Sequence, residues 1–363
     1  MRTDLRVLSV VGARPNFMKL APLAHELMRR EMPHVIVHTG QHYDADMSES
    51  FIQSLGIPKP DYNLAVGSGT HAQQTAAIMQ RFEPVCLDVK PDVVLVYGDV
   101  NSTVAAALVA AKVGIPVGHV EAGLRSRDWT MPEEINRVVT DRLSHYLFIP
   151  SRDAGENLRA EGLPADRIHF VGNIMIDSLV ALLPRARKMN GHRHQPYALV
   201  TLHRPANVDD PDTLRELLET LAELGQERQI LFPVHPRTRA RMRELGWNGA
   251  RSDNGVGVVL LDPVPYEEML SLVLGSDMVI TDSGGLQEET SFLGVPCLTV
   301  RPNTERPITC TEGTNRLVAS KREPLLQAAR QVTRRTAPPT IERWDGFTAR
   351  RIATVLCDSA RFD

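Results

Sequence analysis

Cysteine is scarce in this sequence, and its spacing points to neither a metal site nor a disulfide framework. Four cysteines occur in 363 residues, and no two of them form a Cys-x-x-Cys pair; they are Cys86, Cys297, Cys310 and Cys357. Structural zinc sites and disulfide-rich domains both show characteristic cysteine spacings. No His, Cys and Asp cluster has metal-ligand spacing on one predicted element either, so we expect reduced thiols and no metal ion.

Long apolar runs and a large net charge are also missing. The N-terminal residues "MRTDLRVLSVVGARP" reach a short predicted strand at once, without an apolar run of signal-peptide or membrane-spanning length. The formal net charge of −3 creates no overall field that would attract nucleic acid or anionic lipid. We therefore expect a cytoplasmic protein without nucleic-acid or membrane partners.

Three familiar catalytic signatures are absent. The first predicted strand ends in Gly-Ala-Arg-Pro rather than in Gly-x-Gly-x-x-Gly, which gives poor support to a nicotinamide site. A glycine pair at 284–285 lacks the lysine of a P-loop, and no Gly-x-Ser-x-Gly elbow of a serine hydrolase occurs. We expect no cofactor.

What the sequence does contain is one pattern that occurs twice. Short β-branched runs alternate with amphipathic helical stretches in residues 1–172 and again in 173–346, where the pattern restarts after the polar segment "RARKMNGHRHQP". This alternation predicts an α/β fold with two Rossmann-like, doubly wound parallel-sheet domains. We expect the domains to face a central cleft, with a C-terminal helix (347–363) that packs back across their junction. Ligands of such sheets lie beyond the carboxyl ends of the strands.

Two carboxylates follow successive predicted strands of the N-terminal half. Asp99 follows "VVLVYG", and Glu121 follows "IPVGHV". One βαβ unit would bring both acids to the same edge of the sheet. Neighbouring carboxylates can push their pKa values apart, so that one acts as an acid and the other as a base. A structural role stays open for Asp99, which could cap the following helix.

A third carboxylate, Glu133, lies in the segment "TMPEEINR". Thr130 and Glu133 have the spacing of a capping box, with a proline in the first turn of the helix. From this spacing, a capping role for Glu133 is favoured over a catalytic one.

The segment "TDSGGLQEE" follows the predicted strand "MVIT" and opens a helix. Its glycines would let the amides at the helix N-terminus approach a phosphate, which would bind at Ser283, Gly284 and Gly285. An ordinary N-cap by Asp282 or Ser283 is an equally good interpretation. The two glutamates of "QEE" would then hydrogen-bond a ribose diol.

Cations and histidines lie at other strand ends. Arg14 and Lys19 follow the first strand and would lie near an anionic substrate, although solvated surface cations are an alternative, more so for Lys19. His203 ends "YALVTL", and His235 ends "ILFPV". Two histidines at equivalent strand ends favour a role in proton transfer or phosphate binding.

Together these residues belong to a set of motifs. In chain order between about Val7 and Val318 the set comprises "GARPNFMKLAPL", "YGDVNST", "PVGHVEAGLRS", "MPEEINR", "VTLHRP", "PVHPRTR" and "TDSGGLQEETSFLGVPCLTVRPNTERPITCTEGTNRLV". It resembles the non-hydrolysing UDP-N-acetylglucosamine 2-epimerases. The resemblance implies a glycosyltransferase-B type fold, usually a homodimer, and interconversion of UDP-N-acetylglucosamine and UDP-N-acetylmannosamine without nicotinamide.

The resemblance also implies which residues form the site. The catalytic acid, base and stabilising groups would be Asp99, Glu121, Glu133 and His203. Substrate and UDP would be bound by Arg14, Lys19, His235, Ser283, Gly284, Gly285, Glu289 and Arg306. Within that set, the cations would contact the phosphates or the departing anion, the helix start would hold the diphosphate, and Glu289 would hold the ribose.

Two segments depart from the usual pattern of the family. Many bacterial members have Gln-His-x-x-Met-Leu-Asp-Gln in an allosteric substrate site, whereas "GQHYDADMSES" keeps Gln41 and His42 but lacks the later glutamine. The frequent His-Arg-Arg-Glu is His-Arg-Pro-Ala at 203–206. Allosteric activation and the N-acetyl group of the substrate therefore stay open, and a UDP-glucose 2-epimerase is an alternative. A hydrolysing 2-epimerase that releases N-acetylmannosamine, a glycosyltransferase-B type glycosyltransferase and a non-enzymatic sugar-nucleotide sensor are the others.

Overall fold

The chain divides into two compact units in a computed structural model that describes residues 4–41, 55–189, 196–251, 256–333 and 337–359. Unit 1 comprises Met1–Ser178 and Glu342–Asp363, and unit 2 comprises Leu179–Ile341. The residues from His42 onward in the segment compared above with an allosteric site lie outside the described residues.

Unit 1 alternates strands and helices along the chain. Its elements are β1 (Val7–Val11), α1 (Arg14–Arg29), β2 (His34–His38), β3 (Tyr62–Asn63), α2 (His71–Val89), β4 (Val93–Tyr97), α3 (Asn101–Lys112), β5 (Val117–Val120), α4 (Pro132–Leu143), β6 (Tyr146–Ile149), α5 (Arg152–Ala160), a short 3-10 helix (Ala165–Arg167), β7 (Ile168–Phe170) and α6 (Ile174–Met189), which continues into unit 2.

The described strands of unit 1 form one parallel sheet of seven strands in the order β3-β2-β1-β4-β5-β6-β7. All five residues of β1 and all five of β4 are buried, as expected for strands covered on both faces by helices. The predicted parallel sheet of the N-terminal half is confirmed.

Unit 2 repeats this alternation. Its elements are β8 (Tyr197–Thr201), α7 (Pro205–Val208), α8 (Pro211–Glu227), β9 (Gln229–Pro233), α9 (Pro236–Glu244), β10 (Ala250–Arg251), β11 (Gly257–Leu261), α10 (Tyr266–Gly275), β12 (Met278–Thr281), α11 (Gly284–Leu293), β13 (Cys297–Val300), α12 (Ile308–Thr311), β14 (Asn315–Val318) and α13 (Arg322–Gln331).

The described strands of unit 2 form a second sheet, in the order β10-β11-β9-β8-β12-β13-β14. All neighbours are parallel except the edge strand β10, which pairs antiparallel with β11. Side chains alternate between two cores: Ala198 and Val200 of β8 pack in one, whereas Tyr197 and Leu199 pack in the other. The fold class predicted from the sequence, two parallel-sheet α/β domains, is confirmed.

The last described helix, α14 (Thr348–Ser359), belongs to unit 1. The buried carboxylate of Asp177 accepts hydrogen bonds from the amides of Thr348 (3.1 Å) and Ala349 (2.8 Å) at the start of this helix. Arg30, at the end of α1, donates to the carbonyl of Arg350 at 3.0 Å. The α14 helix is therefore tied both to α6 and to α1 within unit 1.

One local expectation was wrong. The segment "RARKM", which reads as the start of a surface connection, is helical, because α6 continues through Pro184 to Met189. A proline removes one helical hydrogen bond and kinks a helix without always ending it. No helix in the described part of the chain is long and apolar enough to span a bilayer.

Candidate active site

Each sheet has one point where its strand order reverses, and the predicted site residues lie around these two points. In unit 1, β1 lies between β2 and β4; in unit 2, β8 lies between β9 and β12. Helices leave the sheet in opposite directions at such a point, which opens a crevice at the carboxyl ends of the two central strands. Residues 12–14 and 98–99 flank the crevice of unit 1, and residues 203–204 and 282–284 flank that of unit 2.

Lys19 and Glu121 form a buried ion pair across the crevice of unit 1. Gly98 adjoins this pair, because a Cβ built there would lie 2.7 Å from Lys19 Nζ and 3.2 Å from Glu121 Oε2. Glu121 itself has a φ of 76°, a conformation that side chains larger than glycine rarely adopt. The alternative of a solvated surface cation does not hold for Lys19, whereas Arg14, at the first position of α1, is exposed.

Asp99 is a partly exposed carboxylate at the same edge. Its side chain is 27% exposed and forms an ion pair with Arg137 of α4. Asp99 does not cap the following helix, because the N-cap of α3 is Val100 and no side chain caps it. The carbonyl of Asp99 accepts a hydrogen bond from Asn136 at 2.8 Å, so α4 holds both the backbone and the side chain of this residue.

Glu133 lies half-buried in the first turn of α4, but the predicted capping box is wrong. The N-cap of α4 is Met131, and Thr130 instead donates to the carboxylate of Asp128. The next residue, Glu134, is the one that reaches back: it accepts from the amides of Ser126 at 2.9 Å and Arg127 at 2.7 Å. Spacing selected the wrong glutamate because the chain before α4 turns back over the helix start.

Several buried charged residues of unit 1 escaped the sequence reasoning. Glu134, Arg137 and Asp141 lie three and four positions apart on α4, and all three are buried on one face. Charged side chains at the spacing of a core-facing stripe were the available signal. Arg137 joins two of the acids, because its guanidinium contacts Asp99 and also Glu134 at 2.7 Å.

Asp282 is the centre of the corresponding crevice in unit 2. Its fully buried carboxylate accepts from the amides of His203 (3.0 Å) and Arg204 (2.9 Å) and from the side chain of Asn207 (3.1 Å). Burial would raise the pKa of Asp282, but the hydrogen bonds and the charge of His203 outweigh burial and lower it. Asp282 therefore shapes the loop after β8 instead of capping α11.

The start of α11 carries no side-chain cap. Its N-cap residue is Ser283, whose side chain makes no capping hydrogen bond. A Cβ on Gly284 would lie 2.8 Å from Arg306 Nη1, whereas a Cβ on Gly285 would have its nearest neighbour, Glu289 Oε1, at 4.0 Å. Gly284 is thus required by packing inside the protein, while the space beside Gly285 is open. An N-terminus of this kind can bind an anion through its amides and the helix dipole.

Two buried glutamates follow on α11 in different environments. Glu288 lies 2.8 Å from the guanidinium of Arg306. Glu289 accepts a hydrogen bond from Tyr266 at 3.0 Å through Oε1, and its Oε2 has no hydrogen-bond partner among the described residues. Burial raises the pKa of Glu289 to about 8, and the charge of Glu288 adds to this against the effect of Tyr266. A buried polar atom left in this way marks a place for a ligand group.

Arg306 lies in a cluster of charges after β13. Glu305 contacts Arg306 directly, and Arg301 donates to Glu305 at 2.8 Å. Arg204, from the loop after β8, lies 3.7 Å from Glu305. The loop that carries Arg306 is further tied to α11, because Thr304 donates to Gln287 at 2.6 Å. Three guanidinium groups thus lie around one carboxylate beside the start of α11.

His203 and His235 lie together in unit 2, with ring centroids 5.9 Å apart. Nδ1 of His203 lies 3.0 Å from the carboxylate of Asp282. Nδ1 of His235 accepts from the amide of Arg237, and desolvation followed by the charges of His203 and Arg237 lowers the pKa of His235. Neither is grouped for metal binding, since the described residues contain no cluster of three His, Cys, Asp or Glu placed to hold an ion.

The sequence matches the UDP-N-acetylglucosamine 2-epimerase family over residues 25–357. Over 330 residues it is 42% identical to the UDP-N-acetylglucosamine 2-epimerase of Methanocaldococcus jannaschii, covering 88% of this chain and 90% of the relative. Over 358 residues it is also 42% identical to the UDP-2,3-diacetamido-2,3-dideoxy-D-glucuronate 2-epimerase of Pseudomonas aeruginosa, covering 97% and 99% of the two chains.

Solved structures agree with these relationships. The structure resembles the Methanocaldococcus jannaschii UDP-GlcNAc 2-epimerase in complex with UDP-GlcNAc and UDP, with a TM-score of 0.88, 39% identity and coverage of 98% and 100%. It also resembles the Neisseria meningitidis UDP-GlcNAc 2-epimerase bound to UDP-GlcNAc, with a TM-score of 0.87, 30% identity and coverage of 98% and 100%.

Proposed function

The chain belongs to the UDP-N-acetylglucosamine 2-epimerase family, and on that premise we propose that it interconverts UDP-N-acetylglucosamine and UDP-N-acetylmannosamine without releasing the free sugar. The observation that carries the proposal is the group of three carboxylates, Asp99, Glu121 and Glu133, around the crevice of unit 1. Their charge environments differ, because Lys19 pairs with Glu121 and Arg137 pairs with Asp99. Acids in different environments suit a reaction that removes a proton from one face of a sugar and returns it to the other.

Elimination is the route that we propose for this inversion. The hydrogen on carbon-2 has no carbonyl beside it, so its removal is much easier when a leaving group departs at the same time. A base takes that proton while the bond between carbon-1 and the diphosphate breaks, which gives 2-acetamidoglucal, UDP and a protonated base. UDP then adds back to carbon-1 while an acid protonates carbon-2 from the opposite face. The three carboxylates are the base and acid candidates, with His203 as a fourth group.

Unit 2 supplies the proposed grip on UDP. Ser283, Gly284 and Gly285 would hold the diphosphate through the uncapped start of α11, and Arg306 would neutralise the departing anion. Glu289, whose Oε2 lacks a partner among the described residues, would take the ribose diol. Arg14 and His235, which are exposed, are the remaining phosphate or uridine candidates, and Lys19 acts beside Glu121.

Deuterium incorporation tests the proposal. The protein is incubated in heavy water with UDP-N-acetylglucosamine, and products are followed by NMR and mass spectrometry. We expect deuterium at carbon-2 and the manno epimer, with both UDP-sugars at equilibrium. Accumulation of free N-acetylmannosamine and UDP would instead identify a hydrolysing enzyme, and neither exchange nor epimer would refute epimerisation of this substrate.

A second substrate has support from one relative. The Pseudomonas aeruginosa protein that is 42% identical over nearly the whole chain acts, by its name, on a 2,3-diacetamido glucuronate. The same heavy-water experiment with that UDP-sugar and with UDP-glucose distinguishes the substrates by their relative kcat/KM. We rank UDP-N-acetylglucosamine first because further relatives at 40% and 42% identity carry that activity in their names.

We also propose a homodimer in the cytoplasm. The four cysteines are free, three of them buried, which suits a reducing compartment. Light scattering of the purified protein would give the mass of the assembly, and a monomer at micromolar concentration would contradict the dimer.

A further inference from the structure

Asp141, in the last turns of α4, is a fully buried carboxylate with three partners in unit 1. Its Oδ1 lies 2.6 Å from Nδ1 of His119. Its Oδ2 accepts from the amide of Gly123 at 3.1 Å and lies 2.7 Å from Nη1 of Arg125. None of the sequence motifs considered above had pointed to this residue.

One of these partners reaches the loop that carries Asp99. His119 is fully buried, and its Nε2 donates to the carbonyl of Gly98 at 2.8 Å. Gly98 has a φ of 65° and immediately precedes Asp99. Since Asn136 of α4 holds the carbonyl of Asp99 as well, two consecutive carbonyls of this loop are fixed by contacts that begin on α4.

A second partner reaches the loop that carries Glu121. The φ of 76° at Glu121 is costly for a glutamate and persists only where surrounding contacts impose it. The amides of Glu121 and Ala122 both donate to the carbonyl of Phe148 at 3.1 Å, and the next amide, of Gly123, donates to Asp141. Asp141 thus accepts from the turn at the point where the chain leaves Glu121.

The third acid lies on the same helix as Asp141. Glu133 occupies the first turn of α4, so the position of this helix sets the position of Glu133. We propose that Asp141 is a positioning residue that sets the relative places of Asp99, Glu121 and Glu133 for the reaction. This inference rests on the proposed epimerase function, because it assigns those three acids to one reaction.

The charge of Asp141 is part of this role. Burial would raise its pKa, but the charges and hydrogen bonds of His119 and Arg125 outweigh burial and lower it, so the group is an acceptor at both oxygens. An asparagine has nearly the same shape, yet its NH2 group would face a donor where a carboxylate oxygen had accepted. The substitution therefore disturbs the contacts to His119 or to Gly123 while it changes the volume very little.

The test compares Asp141→Asn with a matched variant, Asp177→Asn. Asp177 is also a buried carboxylate of unit 1 that accepts two backbone amides, but these belong to the start of α14. We expect both variants to lose thermal stability. We expect Asp141→Asn to lower kcat about 100-fold, the cost typical of small misplacements of reacting groups, with KM and the Kd of UDP changed less than twofold. Asp177→Asn should keep kcat within twofold.

A conservative pair isolates the hydrogen bond to Gly98. His119→Gln keeps a side chain that can donate to this carbonyl, whereas His119→Leu does not. We expect His119→Leu to lose at least tenfold more kcat than His119→Gln. Equal losses in the two variants, or a kcat loss in Asp177→Asn as large as that in Asp141→Asn, would overturn the proposal.

Hydrogen exchange decides the matter without activity. In Asp141→Asn, peptides that cover residues 98–101 and 121–125 should exchange their amides faster than in the wild type, and in Asp177→Asn they should not. Unchanged exchange in both loops would overturn the positioning role even in a fully active enzyme. Failure of the wild type to exchange carbon-2 hydrogen with any UDP-sugar would instead refute the proposed function.

Discussion

The two crevices of this protein have the same topology and opposite chemistry. In unit 1 the crevice between β1 and β4 is lined by carboxylates, and its spare space is filled: a Cβ on Gly12 would lie 2.0 Å from Ser102 Oγ. In unit 2 the crevice between β8 and β12 ends in an uncapped helix start, where Gly285 has open space beside it. The shared strand order explains why functional groups occur at both places, and the side chains decide what each place can bind.

The contrast extends to how each crevice handles its buried carboxylates. In unit 1, Glu121 faces a lysine, and Asp99 faces an arginine. In unit 2, Glu289 lies against a tyrosine and beside another glutamate, and burial raises its pKa to about 8. Charged acids suit proton transfer to and from a sugar, whereas a carboxyl group left without a full set of partners suits a ligand hydroxyl.

The strongest test of the comparison removes a carboxylate from unit 1. We expect Glu121→Gln to lower kcat about 1,000-fold, the size of a lost acid or base, while UDP binds with an unchanged Kd because the nucleotide contacts lie in unit 2. Steady-state kinetics and calorimetric titration of UDP measure the two quantities. A parallel loss of UDP affinity would contradict the separation of roles.

The control for this substitution is Glu83→Gln, which removes an exposed carboxylate from α2 of the same unit and should leave kcat unchanged. Glu121→Gln also leaves Lys19 without its buried partner, which costs about 3–5 kcal/mol in comparable cases. Should the variant not fold, Asp99→Asn gives the same information, because Asp99 is partly exposed.

The second test exchanges the fates of two glycines. Gly285→Leu should weaken UDP binding about 10- to 100-fold, which is about 1.4–2.8 kcal/mol, with little loss of stability, because the new side chain enters open space meant for the diphosphate. Gly12→Ala should instead lower the free energy of unfolding by about 1–3 kcal/mol through overpacking. Urea denaturation and calorimetry check both. Unchanged UDP affinity in Gly285→Leu would mean that this helix start is an ordinary one.

A third test concerns pH. The pKa of Glu289 is raised to about 8 in the folded protein, against an ordinary value near 4.3. Between these values the unfolded chain loses the proton while the folded chain keeps it, so this group lowers stability as pH rises from about 5 to 8. Glu289→Gln should therefore gain stability over the wild type across this interval. Urea denaturation at pH 5.5, 6.5 and 7.5 measures it, and parallel curves for the two proteins would refute the raised pKa.

The smallest expected effect is at Thr130, where spacing indicated a cap. Thr130→Ala should change the free energy of unfolding by less than about 0.5 kcal/mol, because Thr130 is exposed and precedes the true N-cap. Loss of a real capping box would cost about 1 kcal/mol. Thermal denaturation distinguishes the two outcomes, and a loss above 1 kcal/mol would restore the capping role.

Much of the fold could be read from the chain because its signals are local. The Ala-rich stretch predicted as a helix from Asn101 to Lys112 has those bounds in the structure, and the strands "VVLVY" and "VLSVV" are fully buried. Parallel sheets need buried strands separated by helices, and this requirement shows directly in the order of apolar runs. Site residues could be placed at strand ends for the same reason.

Pairings between distant residues could not be read in this way. Lys19 and Glu121 are 102 residues apart, and Asp282 and His203 are 79 apart. The role of Glu133 against Glu134 depended on the path of the chain before α4, which brings Ser126 and Arg127 over the helix start. Local spacing is the same whichever glutamate the preceding chain contacts.

The sequence by itself determined the alternation of strands and helices, the two sheets, and the placement of acids, glycines and cations at strand ends, because hydrophobic periodicity acts over a few residues. Tertiary structure alone decided which charges pair, which glycine has open space beside it, and that buried residues such as Asp141 and Asp282 tie the loops together. Those properties depend on atoms brought within about 3 Å from distant parts of the chain, and side-chain hydrogen bonds act only at that range.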